Sequence, residues 1–223
     1  MTELSKQGVM MSTGEQSRRK ESTGAGARAW ITTGSLLVAA VLLLASLPFP
    51  YWRMVLDAPQ YPGGLEMRVF VNRVTGDEDP TLDEVREIDG LNHYIGMRSL
   101  YDAARVERAI ALPAVFVMAG GLVVAALVRR RWTWLLALPA VGFPFIFLGD
   151  LAFWLNNYGQ NLDPTAPLSS AIQPFTPPIL GEGIIGQFKT VASVETGWLL
   201  AVGAAALALI GLVLRLTQGR EAA

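Results

Sequence analysis

The sequence reads as an all-α integral membrane protein: four transmembrane helices carrying a small external cap with one short strand. Three observations point there. Four apolar runs of about 20 residues each, the length a helix needs to cross roughly 30 Å of hydrocarbon, punctuate the chain. Hydrophobic residues make up 52% of it, above the usual range for a soluble domain. Basic residues gather in alternate connections between the runs, as they do on the cytoplasmic side of multi-spanning proteins.

Taken in order, residues 1–28 are rich in Ser, Thr, Gly and charge and read as a disordered cytoplasmic tail. Transmembrane helix 1 follows at 29–49. A polar stretch this long is unusual ahead of a signal peptide, and Ala45-Ser46-Leu47-Pro48 is a poor cleavage site, so the run is read as a retained anchor. External loop 1 covers 50–107. Tyr51 and Trp52 stand at the expected interfacial anchor position, and Pro59, Pro62, Gly63 and Gly64 suggest a turn. Leu65, Met67, Val69 and Val71 alternate with Glu66, Arg68, Phe70 and Asn72, the period of a half-buried strand. Thr81 to Asp89 reads as a short acidic helix, with Thr81 and Glu84 at capping-box spacing and Gly90 as its stop. LNHYIGM, from Leu91 to Met97, comes next, and Ser99 to Glu107 leads helically into helix 2 at 108–128.

The connection at 129–132 holds Arg129, Arg130 and Arg131 and should be cytoplasmic. Helix 3 is placed at 133–155, external loop 2 at 156–194, helix 4 at 195–216, and a cytoplasmic tail at 217–223. Lys6, Arg18, Arg19, Lys20 and Arg28 before the first run, and Arg215 and Arg220 at the end, agree with that sidedness. The expected location is the cell's inner (cytoplasmic) membrane, crossed four times, with both termini cytoplasmic. Neither external loop has enough apolar residues for a core of its own, so the two should form one cap, LNHYIGM lying against the NLDP segment of loop 2. Gly203, Ala204, Ala205, Ala206 and Gly211 give helix 4 a small-residue face that permits close packing with another helix or a second copy.

Composition excludes several classes. A net charge of −1 gives no long-range field for nucleic acid. The absence of Cys removes disulfides, Cys-based zinc sites, Fe–S ligation and a Cys nucleophile. There is no G-x-S-x-G and no phosphate-cradling Gly loop with its Lys, and a single His forbids two-imidazole haem ligation. The chain is therefore read as a non-enzyme, with no catalytic residues assigned.

The candidates that remain are few. His93 is the only histidine, and on a continuing helix Met97 would share its face. With Met67 and Met54 these form a soft imidazole–thioether set suited to Cu(I); the alternative is a hydrogen-bonded His beside packing methionines. Asn92 and Tyr94 flank the pair. Asn161 and Asp163 offer polar oxygens in a Pro-rich loop that is either a rigid cap or a ligand site. Asp150, near the outer end of helix 3, is either a ligand or orienting group or a structural hydrogen-bond partner.

WRMVLDAPQYPGGLEM, EIDGLNHYIGM and YGQNLDPTAPL with PFTPPILGEG together resemble a family of multi-spanning membrane proteins encoded beside nitrous oxide reductase and its copper-site assembly factors. The resemblance spans roughly Trp52 to Trp198. It implies copper (Cu(I)) handling, or support of a periplasmic copper enzyme or redox partner, at His93, Met97, Asn92, Tyr94 and Asp163. It also implies a histidine at the position of Gln160, which departs from the pattern, since an amide is a poor Cu(I) ligand. The alternative function is a membrane anchor, docking or electron-transfer partner, with no metal of its own.

Overall fold

The computed structural model describes residues 26, 28–77, 82–128, 130, 132–185 and 187–221. Four helices among them are long and apolar enough to cross a membrane: α1 (Arg28–Ala45), α3 (Arg105–Leu127), α4 (Leu138–Gln160, preceded by a 3-10 turn at Thr133–Ala137) and α5 (Thr196–Glu221). Nearly all of the expected tail at 1–28, together with Arg129, Arg131 and Thr81, lies outside the described residues.

Small residues set the helix packing. Ala39 and Ala40 of α1, Ala119 and Ala125 of α3, Ala140 of α4, and Ala201, Ala204 and Ala208 of α5 are buried in one cluster. Where no hydrophobic effect draws helices together, such residues let backbones approach and gain dispersion contact. The small face of α5 is used within the chain: a Cβ on Gly211 would fall 2.8 Å from Leu36 and Ser35 of α1, and one on Gly203 would meet Leu42.

One end of the bundle is fastened by a single guanidinium. Arg215 donates to the carbonyls of Ala125 (2.5 Å), Val128 (3.0 Å) and Arg130 (3.0 Å) and to the Thr133 hydroxyl (2.5 Å). Two of these carbonyls are the orphan acceptors that the end of α3 leaves unpaired. The start of α1 joins the same end, where the Thr33 hydroxyl reaches the Ala126 carbonyl. The beginning of α1, the α3–α4 turn and the end of α5 therefore sit together, and both long connections lie at the opposite end.

Those connections are not helical loops, which corrects the all-α reading. They build a five-stranded antiparallel sheet in the order β3-β2-β1-β5-β4, from β1 (Trp52–Ala58), β2 (Tyr61–Val69), β3 (Val74–Thr75), β4 (Gly181–Ile185) and β5 (Phe188–Val194). The central strand β1 pairs with β2 of its own loop (Met54↔Met67, Leu56↔Leu65) and with β5 of the other (Trp52↔Val194, Met54↔Ala192). The two loops are thus one cap. The alternation read in 65–71 holds for Leu65 and Met67, which point into the core, but β2 ends at Val69 and beyond it Phe70 and Val71 are both buried. Trp52, Met54, Leu56 and Ala58 do the same in β1, and α2 (Glu84–Ile95) covers them with Val85, Ile88, Asn92 and Ile95.

Three local expectations change. Tyr51 and Trp52 are not interfacial anchors but fully buried. Tyr51 packs on Phe143 and Phe147 of α4 and shares a 2.6 Å hydrogen bond with Ser46, and burial pushes its phenol up to about 12. The hairpin turns at Pro59-Gln60, so that Pro62, Gly63 and Gly64 belong to β2, with Gly64 at φ 74 beside the register shift near Ala58. Gly90 does not stop α2; the helix runs on to Ile95 because Asn92 and Ile95 bury against the sheet, outweighing the roughly 1 kcal/mol cost of a mid-helix glycine. Its N-cap is Asp83, which accepts from Arg86 N, and Glu84 is buried, accepting from the backbone N–H of Glu66 (3.1 Å) and Asp77 (2.5 Å).

The absence of native Cys makes sidedness testable without background. A cysteine at Gln60, on the exposed hairpin tip, should react with a membrane-impermeant maleimide in intact spheroplasts, and one at Arg130 only after lysis. The reverse pattern would invert the assigned orientation.

Candidate functional site

The sequence candidates fall into three places. The first is the rim where α2 meets the second long connection. Gly96 (φ 82) ends α2, its N–H returning to His93 O and the Met97 N–H to Asn92 O (2.9 Å), a Schellman motif. The turn throws Met97 inward and leaves His93 and Tyr94 exposed. The expectation that His93 and Met97 share a helical face fails here, because the helix ends between them. Asp163 N donates to Gly96 O (2.8 Å) and Leu168 N to Tyr94 O (2.9 Å), so NLDP does lie against LNHYIGM.

Asp163 closes its own turn, accepting from the Thr165 hydroxyl (2.7 Å) and N–H (2.8 Å). Those two bonds, with a smaller contribution from nearby His93, hold its carboxyl below the usual aspartate range. Asn161 caps α4, its amide donating to Asn157 O (2.7 Å). Gln160 donates to the Thr176 hydroxyl (3.1 Å), which itself donates to Asn156. Asn161 and Gln160 hold the loop in shape.

The second place is inside the cap. Met54, Met67 and Met97 are all buried in the core between sheet and α2. Met54 and Met97 line one small cavity of about 40 Å³, and Asn92 lines it too. The buried Asn92 Nδ2 has no hydrogen-bond partner among the described residues. The thioethers and the imidazole thus occupy different surfaces: three Met sulfurs inside, His93 on the rim. The His93–Met97–Met67–Met54 set is not gathered into one coordination sphere.

The third place is at the cap end of α3 and α4. Asp150 lines a cavity of about 370 Å³ between α3 and α4, roofed by Met67, Phe70 and Val71 of the cap. Glu107 and the Trp154 indole line the same cavity, and the buried Trp154 Nε1 has no hydrogen-bond partner among the described residues. Arg108 lines the same mouth; one of its Nη atoms donates to Tyr101 O, while its buried Nε has no hydrogen-bond partner among the described residues. Sequence reasoning passed over Glu107, Arg108 and Trp154. The available signal was depth: an Arg–Glu pair opening one apolar run and an Asp closing the next fall at the same level when consecutive helices are antiparallel.

No family model matches the chain, and no curated protein matches it.

Proposed function

We propose that the chain is a non-enzymatic accessory protein of the cytoplasmic membrane, with both termini cytoplasmic. Its cap supports a periplasmic copper enzyme of the nitrous oxide reductase type, or that enzyme's redox partner, by docking it. The observation that supports docking is the rim. Backbone hydrogen bonds from Asp163 and Leu168 fix Gly96 and Tyr94, so His93, Tyr94 and the Asp163 turn stand exposed on an ordered backbone. A binding edge that is already ordered loses little conformational entropy on association, and aromatic groups on it give large contact area.

A second reading, that the cap itself holds Cu(I), is favoured by one observation: Met54 and Met97 line the same chamber as the unpartnered Asn92 amide. Thioethers would supply soft ligation there, without His93.

The two separate in one experiment. Full-length protein in nanodiscs is presented to purified nitrous oxide reductase with and without a Cu(I) chelator. Docking expects capture that survives chelation and weakens about tenfold or more, roughly 1.4 kcal/mol, in the Tyr94→Ala and His93→Ala variants. Capture that chelation abolishes, with Cu(I) binding lost in the double variant Met54→Leu, Met97→Leu but kept in His93→Ala, would replace it with the metal reading. No capture under either condition would remove the docking role.

A further inference from the structure

The cavity between α3 and α4 plays no part in docking at the cap rim, and its shape and chemistry are those of a ligand site. Its volume, about 370 Å³, is in the range of small-molecule pockets. Its walls run from Glu107 to Met118 on α3 and from Trp154 to Phe143 on α4. At 1.5 Å per residue each wall is about 16 Å deep, close to half the hydrocarbon thickness of a bilayer. The polar groups are all at the cap end: Glu107, Arg108, Asp150 and the Trp154 indole. Below them the shaft is apolar, with Ala111 and Ala114 on one side against Ile146 and Phe147 on the other. The alanines leave the space; Ala114 and Ile146 are exposed, so the shaft opens sideways toward the acyl chains of one leaflet.

Buried polar groups are costly unless something satisfies them. The mouth presents two carboxylates that accept and two donors, Arg108 Nε–H and Trp154 Nε1–H, both buried and without a hydrogen-bond partner among the described residues. An anionic headgroup would meet Asp150 and Glu107 with like charge, and a cationic one would leave the Arg108 donor unmet. A neutral head that both donates and accepts hydrogen bonds answers both.

We propose that this cavity binds a neutral single-tailed amphiphile whose hydroxyl-bearing head both donates and accepts hydrogen bonds, entering from the cap-side leaflet. The head hydroxyls sit among Asp150, Glu107 and Arg108, and the tail lies in the shaft past Ala114. Binding alone is inferred, with no redox step.

The test uses the full chain in nanodiscs and decylubiquinol as probe, with binding read by tryptophan fluorescence quenching. Saturable binding is expected, at least tenfold tighter than for dodecyl phosphate or for dodecane. Ala114→Phe, which fills the shaft from its exposed side, should weaken decylubiquinol binding tenfold or more without lowering the melting temperature. Asp150→Asn should narrow the preference for decylubiquinol over dodecyl phosphate, whereas Arg108→Met, which removes a donor and a positive charge from the mouth, should weaken decylubiquinol binding without narrowing that preference. Equal binding of all three probes, or binding unchanged by both Ala114→Phe and Asp150→Asn, would overturn the proposal. So would the absence of saturable decylubiquinol binding to a wild-type protein that melts cooperatively.

Discussion

Replacing Trp52 by alanine should destabilise the cap by about 3–5 kcal/mol, the range for truncating a fully buried Trp or Phe. Trp52 is the first residue of the central strand and has no exposed surface. Its indole N–H donates to Ile179 O at 2.6 Å, tying the first connection to the second just before β4. Alanine would leave a large cavity and an abandoned carbonyl at the point where Val69, Val194 and the strand all meet. Near-ultraviolet circular dichroism in detergent should show the cap melting many degrees earlier, while the far-ultraviolet helical signal persists, because the helix cluster around Ala39 and Ala204 is a separate core. A cap transition within a degree or two of wild type would show that the two connections do not depend on this contact.

Gly96→Val should have the second-largest effect, and for a backbone reason. At φ 82 a β-branched residue is strained, at an expected cost of about 1–3 kcal/mol. Its Cβ would also lie 2.6 and 2.8 Å from the Asp163 carbonyl and nitrogen, backbone atoms that have nowhere to yield. The latch between α2 and the NLDP turn should open, and limited proteolysis should cleave the second connection between Asn161 and Leu180 where the wild type resists. Gly90→Ala is the matched control. Gly90 is helical with nothing near a new Cβ, so alanine there should stabilise by up to about 1 kcal/mol. Equal proteolysis of the Gly96→Val protein and the wild type would show that Gly96 is not the clamp.

These two glycines show where the sequence was legible and where it was not. Helix length in a bilayer is dictated by composition, so the four spans are readable from apolar run length alone. The period of two in Leu65 and Met67 is a local signal and was equally readable. Gly90 and Gly96 carry the same local stop signal, and only the tertiary contacts of Asn92 and Ile95 decide between them. That choice also sent His93 and Met97 to different surfaces. β1 was missed for a related reason: Trp52 and Tyr51 look like membrane-interface anchors until α4 packs on Tyr51 and β5, far along the chain, pairs with Trp52. At the cavity, Asp150 stood out because a lone carboxylate in an apolar run is conspicuous. Glu107 and Arg108 looked like ordinary flanking charge until the antiparallel helices set them beside it.

The position of β5 also bears on how the protein is made. Synthesis delivers β1 and β2 first, as a hairpin between the first two spans, and the strand that completes β1's other edge is the last element before α5. While α3 and α4 are being inserted, the hairpin waits on the cap side with one edge open and Trp52, Met54 and Leu56 not yet fully covered. An open apolar edge of this kind is an aggregation hazard, and pairing across so much chain is slow. Biogenesis therefore has a vulnerable interval that ends only when Val194 reaches Trp52. A protein truncated before β5 would carry three correctly apolar spans and still be a substrate for quality-control proteolysis.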